Sequence, residues 1–299
     1  MSKSGTTRKK ILFIINPISG GRQQQKDSIV KLIEDHLDHT IYEYQFVQSA
    51  SALHATELSK QAVIDQVDLV VAVGGDGSIN QVARALIGTD TALGIIPAGS
   101  GNGLAHHLEI PTTTAEAVEI INRCKIKSID SVNINDDVFF SVAGVGFDAL
   151  VAKKYAQYGR RGFLPYFRIV TEMYPLYKPK KYIIKIDDRI INTRALMITL
   201  ANSNQFGYNT VIAPTASLDD GLVDVCIVKK APLIVIPLIS HLVFTKKIDQ
   251  SEYVTIIKAS HVEIKCKKNR RINLDGESVK ISRKLVINVN PRSIKVIVP

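Results

Sequence analysis

A chain of 299 residues that is 45% hydrophobic and 22% charged has the material for a sizeable core, which excludes a disordered or low-complexity protein and suggests about two domains. Its formal net charge of +10 favours anionic partners, whether nucleotides, phosphorylated products, anionic lipid surfaces or nucleic acid, without choosing among them. The three cysteines, Cys124, Cys226 and Cys266, have no CxxC or Cys/His spacing, so neither a zinc site nor a disulfide framework is indicated and a reducing, cytoplasmic setting fits.

Along the chain, Arg8-Lys9-Lys10 precedes the apolar run 11–15, but Asn16-Pro17 ends that run well short of a signal-peptide core, and a first strand is predicted. Residues 22–38 have helical spacing, 40–47 have period-two character and 51–63 read as helix. A buried strand at 68–73, a helix at 78–86, a strand at 92–96 and a helix at 114–122 follow. This alternation predicts a parallel sheet with crossover helices, an α/β domain over residues 1–128. After residue 127 the texture becomes β-rich. Strands are predicted at 139–143, 182–186, 195–201, 222–228, 254–257, 262–265 and 285–289, an antiparallel sandwich or barrel over residues 129–289. Residues 151–177 form a helical insertion with Lys153, Lys154, Arg160, Arg161 and Arg168 among Tyr155, Phe163, Tyr166, Phe167 and Tyr174. The apolar run 231–244 is broken by Pro232 and Pro237 and is shorter than the ~20 residues that span a bilayer.

Three glycine-rich loops follow strands of the first domain and open helices. Loop one is Asn16-Pro17-Ile18-Ser19-Gly20-Gly21-Arg22, which reads equally as a phosphate-contacting helix start and as a plain strand-to-helix turn. Loop two, Gly74-Gly75-Asp76-Gly77-Ser78, surrounds one carboxylate with small residues. Its glycines admit close approach of phosphate, and Asp76 is placed to orient a metal-bound water or a phosphate-bridging Mg²⁺, with Asn80 one turn on; the alternative is a tight turn with Asp76 as helix N-cap. Loop three, Pro97-Ala98-Gly99-Ser100-Gly101-Asn102-Gly103, offers Ser100 and Asn102 to phosphate or ribose, while His106-His107 reads as helix surface rather than metal ligand. Open α/β sheets bind ligands at this carboxyl edge of their strands. Further on, Asp219-Asp220-Gly221 reads as a turn tip, and Asp275-Gly276-Glu277 reads equally as a hairpin turn and as a catalytic carboxylate pair.

Asn16-Pro-x-Ser-Gly20, Gly74-Gly-Asp-Gly-Ser-x-Asn80, Pro97-Ala-Gly-Ser-Gly-Asn102, Ser217-Leu-Asp-Asp-Gly-Leu222 and Asp275-Gly-Glu277 occur in the order seen in the diacylglycerol kinase catalytic-domain family, which the chain resembles over nearly its whole length. That family includes bacterial soluble diacylglycerol kinases and sphingosine and ceramide kinases, and it shares its Gly-Gly-Asp-Gly core with NAD kinases and phosphofructokinases. The resemblance implies an N-terminal three-layer α/β domain and a C-terminal β-sandwich with ATP in the cleft, and a last strand near 290–299 returning toward the first domain. It implies that Asn16, Pro17, Ile18, Ser19, Gly20, Ser49, Gly74, Gly75, Asp76, Gly77, Ser78, Asn80, Gly99, Ser100 and Asn102 bind ATP. It also implies that Asp220 and the carbonyls of Ser217 and Leu222 hold Mg²⁺. Asp275 is implied as the proton acceptor for the lipid hydroxyl, Glu277 lies nearby, and Asp76 is the rival base.

The activity implied is transfer of the γ-phosphoryl group of Mg²⁺–ATP to a hydroxyl of a diacylglycerol, sphingoid or ceramide-type lipid. The alternatives are an NAD kinase-like enzyme and a non-catalytic nucleotide- and lipid-binding regulator. Ser100-Gly101-Asn102 is similar to the sphingosine and ceramide kinase version of loop three, and Gln81 stands where many members carry Glu. A lipid acceptor implies peripheral membrane contact, with residues 151–177 and 234–244 plus Lys246-Lys247 as the docking candidates or as ordinary packed helices. Homodimers of the family set the expectation of a second copy. No nucleic-acid module is present, and the basic residues are dispersed.

Overall fold

The computed structural model describes residues 8–17, 23–159, 162–187, 189–266 and 270–299. The chain divides into two units, residues 1–99, 108–128 and 294–299 in the first and residues 100–107 and 129–293 in the second.

In the first unit β1 (Lys9–Ile15), α1 (Gln23–His36), β2 (Tyr42–Gln48), α2 (Ala52–Ile64), β3 (Leu69–Gly74), α3 (Asp76–Ala83) and β4 (Ala92–Pro97) alternate as expected. The short α4 (Gly103–His107) goes with the second unit and α5 (Thr114–Arg123) with the first. β2, β1, β3 and β4 pair in parallel in that order. β3 and β4 are buried at every position, and such strands read as continuous apolar runs because helices cover both faces of a parallel sheet. Phe13, Val70, Val71, Leu93 and Ile96 are almost fully buried there, each side chain contributing about 1.5–3 kcal/mol of transfer free energy. Two hydroxyls fasten the helices: Ser51 caps α2 by accepting the His54 N–H at 3.1 Å, and Thr56 of α2 donates to the Gln81 carbonyl of α3 at 2.8 Å.

The second unit continues with β5 (Ile126–Ile134), β6 (Asp137–Phe139), β7 (Val142–Gly146), α6 (Phe147–Gln157), α7 (Phe163–Met173), β8 (Lys180–Ile186), β9 (Arg189–Ala195), β10 (Met197–Ala201), β11 (Val223–Val228), α8 (Ile236–Phe244), β12 (Val254–Ala259), β13 (His261–Cys266), β14 (Arg270–Leu274), β15 (Glu277–Ile281) and β16 (Lys284–Ile297). Among the described residues, one antiparallel sheet runs β12-β11-β10-β7-β14-β15, and a second antiparallel array joins β16, β13, β8 and β9. Tyr182, Ile184, Val262, Leu285 and Ile287 of the array pack with Val145, Ile198, Val225 and Ile272 of the other sheet, the interior of a β-sandwich. On the far side of the six-stranded sheet, Phe147, Ile169, Leu196, Ile212 and Cys226 form another cluster beneath α6, α7 and α8.

Three predicted boundaries change. The strand expected at 139–143 breaks after Phe139, because the N–H groups of Phe140 and Ser141 turn to the Asp275 carboxylate instead of a ladder. The strand expected at 195–201 is only β10, and β9, Arg-Ile-Ile-Asn-Thr-Arg-Ala, precedes it as the exposed partner of β8. The strands expected at 285–289 and near 290–299 are one 14-residue strand. Its end groups with the first unit: Val296 pairs with Leu93 of β4, and the Val298 N–H donates to the Lys125 carbonyl at 2.9 Å.

Candidate active site

In the first unit strand pairing sets three loops side by side. Ile15 is opposite Val73 and Gly74 is opposite Pro97, so the chain leaves β1, β3 and β4 at one edge. The Asn16 N–H donates to the Val73 carbonyl at 3.1 Å, and its Nδ2 donates to Ser78 Oγ at 2.6 Å, tying loop one to the first turn of α3. The Ala98 N–H donates to the Gly74 carbonyl at 2.8 Å. A Cβ on Gly75 would stand 3.0 Å from Gly99 Cα, so loops two and three touch backbone to backbone and a side chain at 75 would crowd Gly99. Gly75 is the extended residue that caps α3. Asp76 is therefore the first helical residue rather than the cap left open by the sequence, and with Gly77 and Ser78 it forms the first turn of the helix, the end of a helix that favours an anion.

Asn80 is buried one turn on. Ser49 is buried at the end of β2, and both its N–H and its Oγ are directed at the Ile15 carbonyl, at 3.0 and 3.4 Å. Pro17 is half-buried beside Asn16, while Ile18, Ser19 and Gly20 lie outside the described residues.

The remainder of loop three groups with the second unit. Ser100 is half-buried; Asn102 is buried at φ 51 and its carbonyl accepts the His106 N–H. His107 Nδ1 accepts the Asn204 N–H at 3.0 Å, so that ring serves the backbone.

Asp275 and Gly276 both have positive φ and form the two-residue turn joining β14 to β15, the hairpin that Asp-Gly favours. The Asp275 side chain does more than turn the chain. It is buried, and its carboxylate accepts three backbone N–H groups at 2.9 Å each, Phe140 on Oδ2 and Ser141 and Val142 on Oδ1. Three donors converging on one carboxylate complement its charge and lock the start of β7 to the hairpin. Glu277 is exposed at the first position of β15.

Two further buried carboxylates stand out. Asp148, in the first turn of α6, accepts both bonds offered by Asn273 Nδ2, at 3.1 Å to each oxygen, and Gly144 makes the space, since a Cβ there would fall 1.8 Å from Asp148 Oδ2. Burial pushes the Asp148 carboxyl up to about 6, against the opposing effect of Asn273. Asp130 accepts the Gly221 and Arg292 N–H groups, each at 2.7 Å, and so anchors the 217–222 turn.

At that turn Asp220 Oδ1 accepts the Leu222 N–H at 3.0 Å, while Oδ2 takes the Lys258 ammonium at 2.8 Å. Lys258 also reaches Asp224 Oδ2 at 3.2 Å and the Thr215 carbonyl at 3.1 Å. Burial raises the Asp224 pKa against Lys258; burial alone would lower that of Lys258, but the two carboxylates outweigh it and raise it. Ser217 spends its hydroxyl on Asp219 at 2.7 Å. Lys258 thus holds the Asp220 carboxylate that, with the carbonyls of Ser217 and Leu222, is the expected Mg²⁺ site. Among the described residues no three His, Cys, Asp or Glu side chains are grouped to hold a metal ion.

Sequence reasoning located the loop residues but not Asp130, Asp148, Asn273 or Lys258. Only Asp148 carried a signal, since Gly146-Phe147-Asp148 repeats the strand–glycine–helix texture of loop two.

Comparison with known proteins fits this picture. Residues 10–134 match the diacylglycerol kinase catalytic domain, and residues 141–298 match the YegS C-terminal NAD kinase beta sandwich-like domain. A diacylglycerol kinase of Bacillus subtilis (strain 168) is 28% identical over 276 residues, 90% of each chain. One from Staphylococcus saprophyticus is 27% identical over 277 residues, covering 90% of this chain and 89% of the relative. A solved diacylglycerol kinase structure from Bacillus anthracis str. Sterne has the same fold, with a TM-score of 0.76 at 19% identity over 98% of each chain. The chain belongs to the diacylglycerol kinase catalytic-domain family, and its class is lipid kinase.

Proposed function

We propose that the chain transfers the γ-phosphoryl group of Mg²⁺–ATP to a lipid hydroxyl, with diacylglycerol the first acceptor to test because the curated relatives carry that name. The observation that carries the reading is the strand edge where loops one, two and three are bonded together around the start of α3. Backbone N–H groups and glycine-lined space there suit a polyphosphate, as at the carboxyl edge of other open α/β sheets. Mg²⁺ enters as part of the nucleotide substrate, and Asp76, in the first turn of α3, is the carboxylate we assign to it.

Phosphoryl transfer asks the protein for position and charge stabilisation, plus one group to take the hydroxyl proton. We assign that proton to Asp275, whose three N–H donors hold it in one orientation, with Asp76 as the rival. Ser49, Asn80, Ser100 and Asn102 complete the proposed nucleotide contacts, and Glu277 is proposed as an accessory carboxylate.

The test is transfer of γ-phosphate label from Mg²⁺–ATP to detergent-dispersed diacylglycerol, ceramide, sphingoid base and monoacylglycerol, with NAD as the soluble control. Label on diacylglycerol is expected. Label on NAD alone would overturn the lipid reading.

A further inference from the structure

α8, Ile-Pro-Leu-Ile-Ser-His-Leu-Val-Phe, has no charged residue, yet none of its residues is fully buried. Pro237 does not break it, because it sits in the first turn, where a missing N–H costs nothing. Its inner face, Ile239, Leu242 and Val243, rests on the cluster beneath the six-stranded sheet, as do Tyr166, Val170 and Met173 of α7.

The two helices run in opposite directions and meet at their ends. At one end the Phe163 ring of α7 meets the Phe244 ring of α8, centroids 6.3 Å apart. At the other, Tyr174 Oη donates to the Ala231 carbonyl at 2.8 Å and accepts its N–H at 3.0 Å. There too Lys230 Nζ donates to the Pro175 and Tyr177 carbonyls, just before the 3₁₀ turn Leu233–Val235 that leads into α8.

With both inner faces used, the exposed apolar side chains include Leu164 and Phe167 of α7, Leu233 and Ile234 of the 3₁₀ turn, and Leu238 and Phe244 of α8; Ile234 is 88% exposed, Leu164 76% and Leu238 58%. A pair of helices apolar on the side away from the core calls for a covering partner. The charge around them selects its kind. Exposed Lys178, Lys229, Lys246 and Lys247 flank the helix ends, residues 229–247 contain no Asp or Glu, and Glu172 is the sole acid from 163 to 178, paired with Arg168 at 2.7 Å.

We propose that the outward faces of α7 and α8 form a bilayer-docking surface that inserts its leucine, isoleucine and phenylalanine side chains among the acyl chains of an anionic membrane while the lysines contact the headgroups. The proposal rests on the lipid-acceptor reading for its biological sense, but its physics does not require catalysis. Shallow apolar insertion with a basic rim is how interfacial helices bind, and the attraction to anionic headgroups weakens with salt.

The experiment is cosedimentation of the full chain, without ATP, with phosphatidylcholine vesicles containing about 30 mol% phosphatidylglycerol and no kinase acceptor. The comparison is with the double variant Ile234→Asp/Leu238→Asp, both positions being exposed enough to leave the core intact. The wild type is expected to bind and the variant to bind at least about tenfold more weakly, with unchanged circular dichroism and unchanged transfer to detergent-dispersed lipid. Equal binding by the variant, or no binding by the wild type, overturns the proposal. A wild-type dimer that the variant dissolves, without vesicle binding, assigns the face to a second copy instead. Vesicle binding in a protein that labels no lipid upholds the docking surface and removes only the proposed activity.

Discussion

Loop two and the β14–β15 hairpin each place an aspartate beside a glycine at the end of a strand, and they use it in opposite ways. Asp76 stands in the first turn of a helix, with the glycines around it holding two loops in backbone contact. Asp275 is buried with three N–H groups on its carboxylate, and a strand is interrupted to supply them. The difference teaches that a carboxylate in the first turn of a helix and one buried among backbone donors have the same sequence signature. They part in what their removal costs.

The largest effect is expected from Asp275→Ala. It leaves three buried N–H groups without their acceptor, and urea denaturation should show a loss of about 3 kcal/mol or more together with lost transfer activity. Asp275→Asn sharpens the point: its amide oxygen can still accept the Ser141 and Val142 N–H groups while its NH2 faces that of Phe140, so part of the stability, and ATP binding, should return while turnover stays low. Normal turnover by Asp275→Asn would remove Asp275 as the proton acceptor.

Asp76→Asn should reverse the pattern, lowering labelled-phosphate transfer at least about 100-fold with a stability change within about 1 kcal/mol, the scale of a single helix-end charge. A large loss of stability in this variant would break the contrast.

Two smaller effects concern the other buried carboxylates. The Asp148 pKa is raised in the folded state, to about 6, so the folded chain binds that proton more tightly than the unfolded chain does. Stability from this group is therefore fully present below its ordinary value, falls as pH rises through about 6, and is flat above. Asp148→Asn should remove that slope and stabilise the protein by about 1–3 kcal/mol at pH 7.5, with little effect at pH 4, read as paired denaturant titrations.

Lys258→Met should cost about 1–2 kcal/mol by leaving Asp220 and Asp224 facing each other. It should also make the variant, unlike the wild type, gain melting temperature on addition of Mg²⁺ or Ca²⁺. An equal gain in both proteins would show that the turn accepts a divalent ion beside its lysine.

Local chemistry made the first unit readable. Apolar runs such as Leu69–Gly74 sit inside a sheet covered on both faces, and Gly75 and Gly103 of loops two and three mark tight passages where a side chain would crowd its neighbours. What escaped depends on partners far away in sequence. Nothing around Phe139 announces that its strand will stop, because the cause is a carboxylate at 275. Asp130 is an isolated acid whose partners are the N–H groups of Gly221 and Arg292, and Lys258 is one lysine among many until it meets Asp220 and Asp224. The β9 strand was missed because its alternation faces solvent, with Arg189, Ile190 and Arg194 all exposed.

The return of β16 has a consequence for biosynthesis. Ile294, Val296 and Ile297 are almost wholly buried, and they complete a unit whose other parts end at residue 128. While a ribosome works through the intervening stretch, the apolar edge of β4 waits uncovered, a template for mispairing and a natural client for chaperones that shield nascent chains. The unit that holds β1 to β4 is thus completed only when residues 294–299 emerge, after the whole of the second unit.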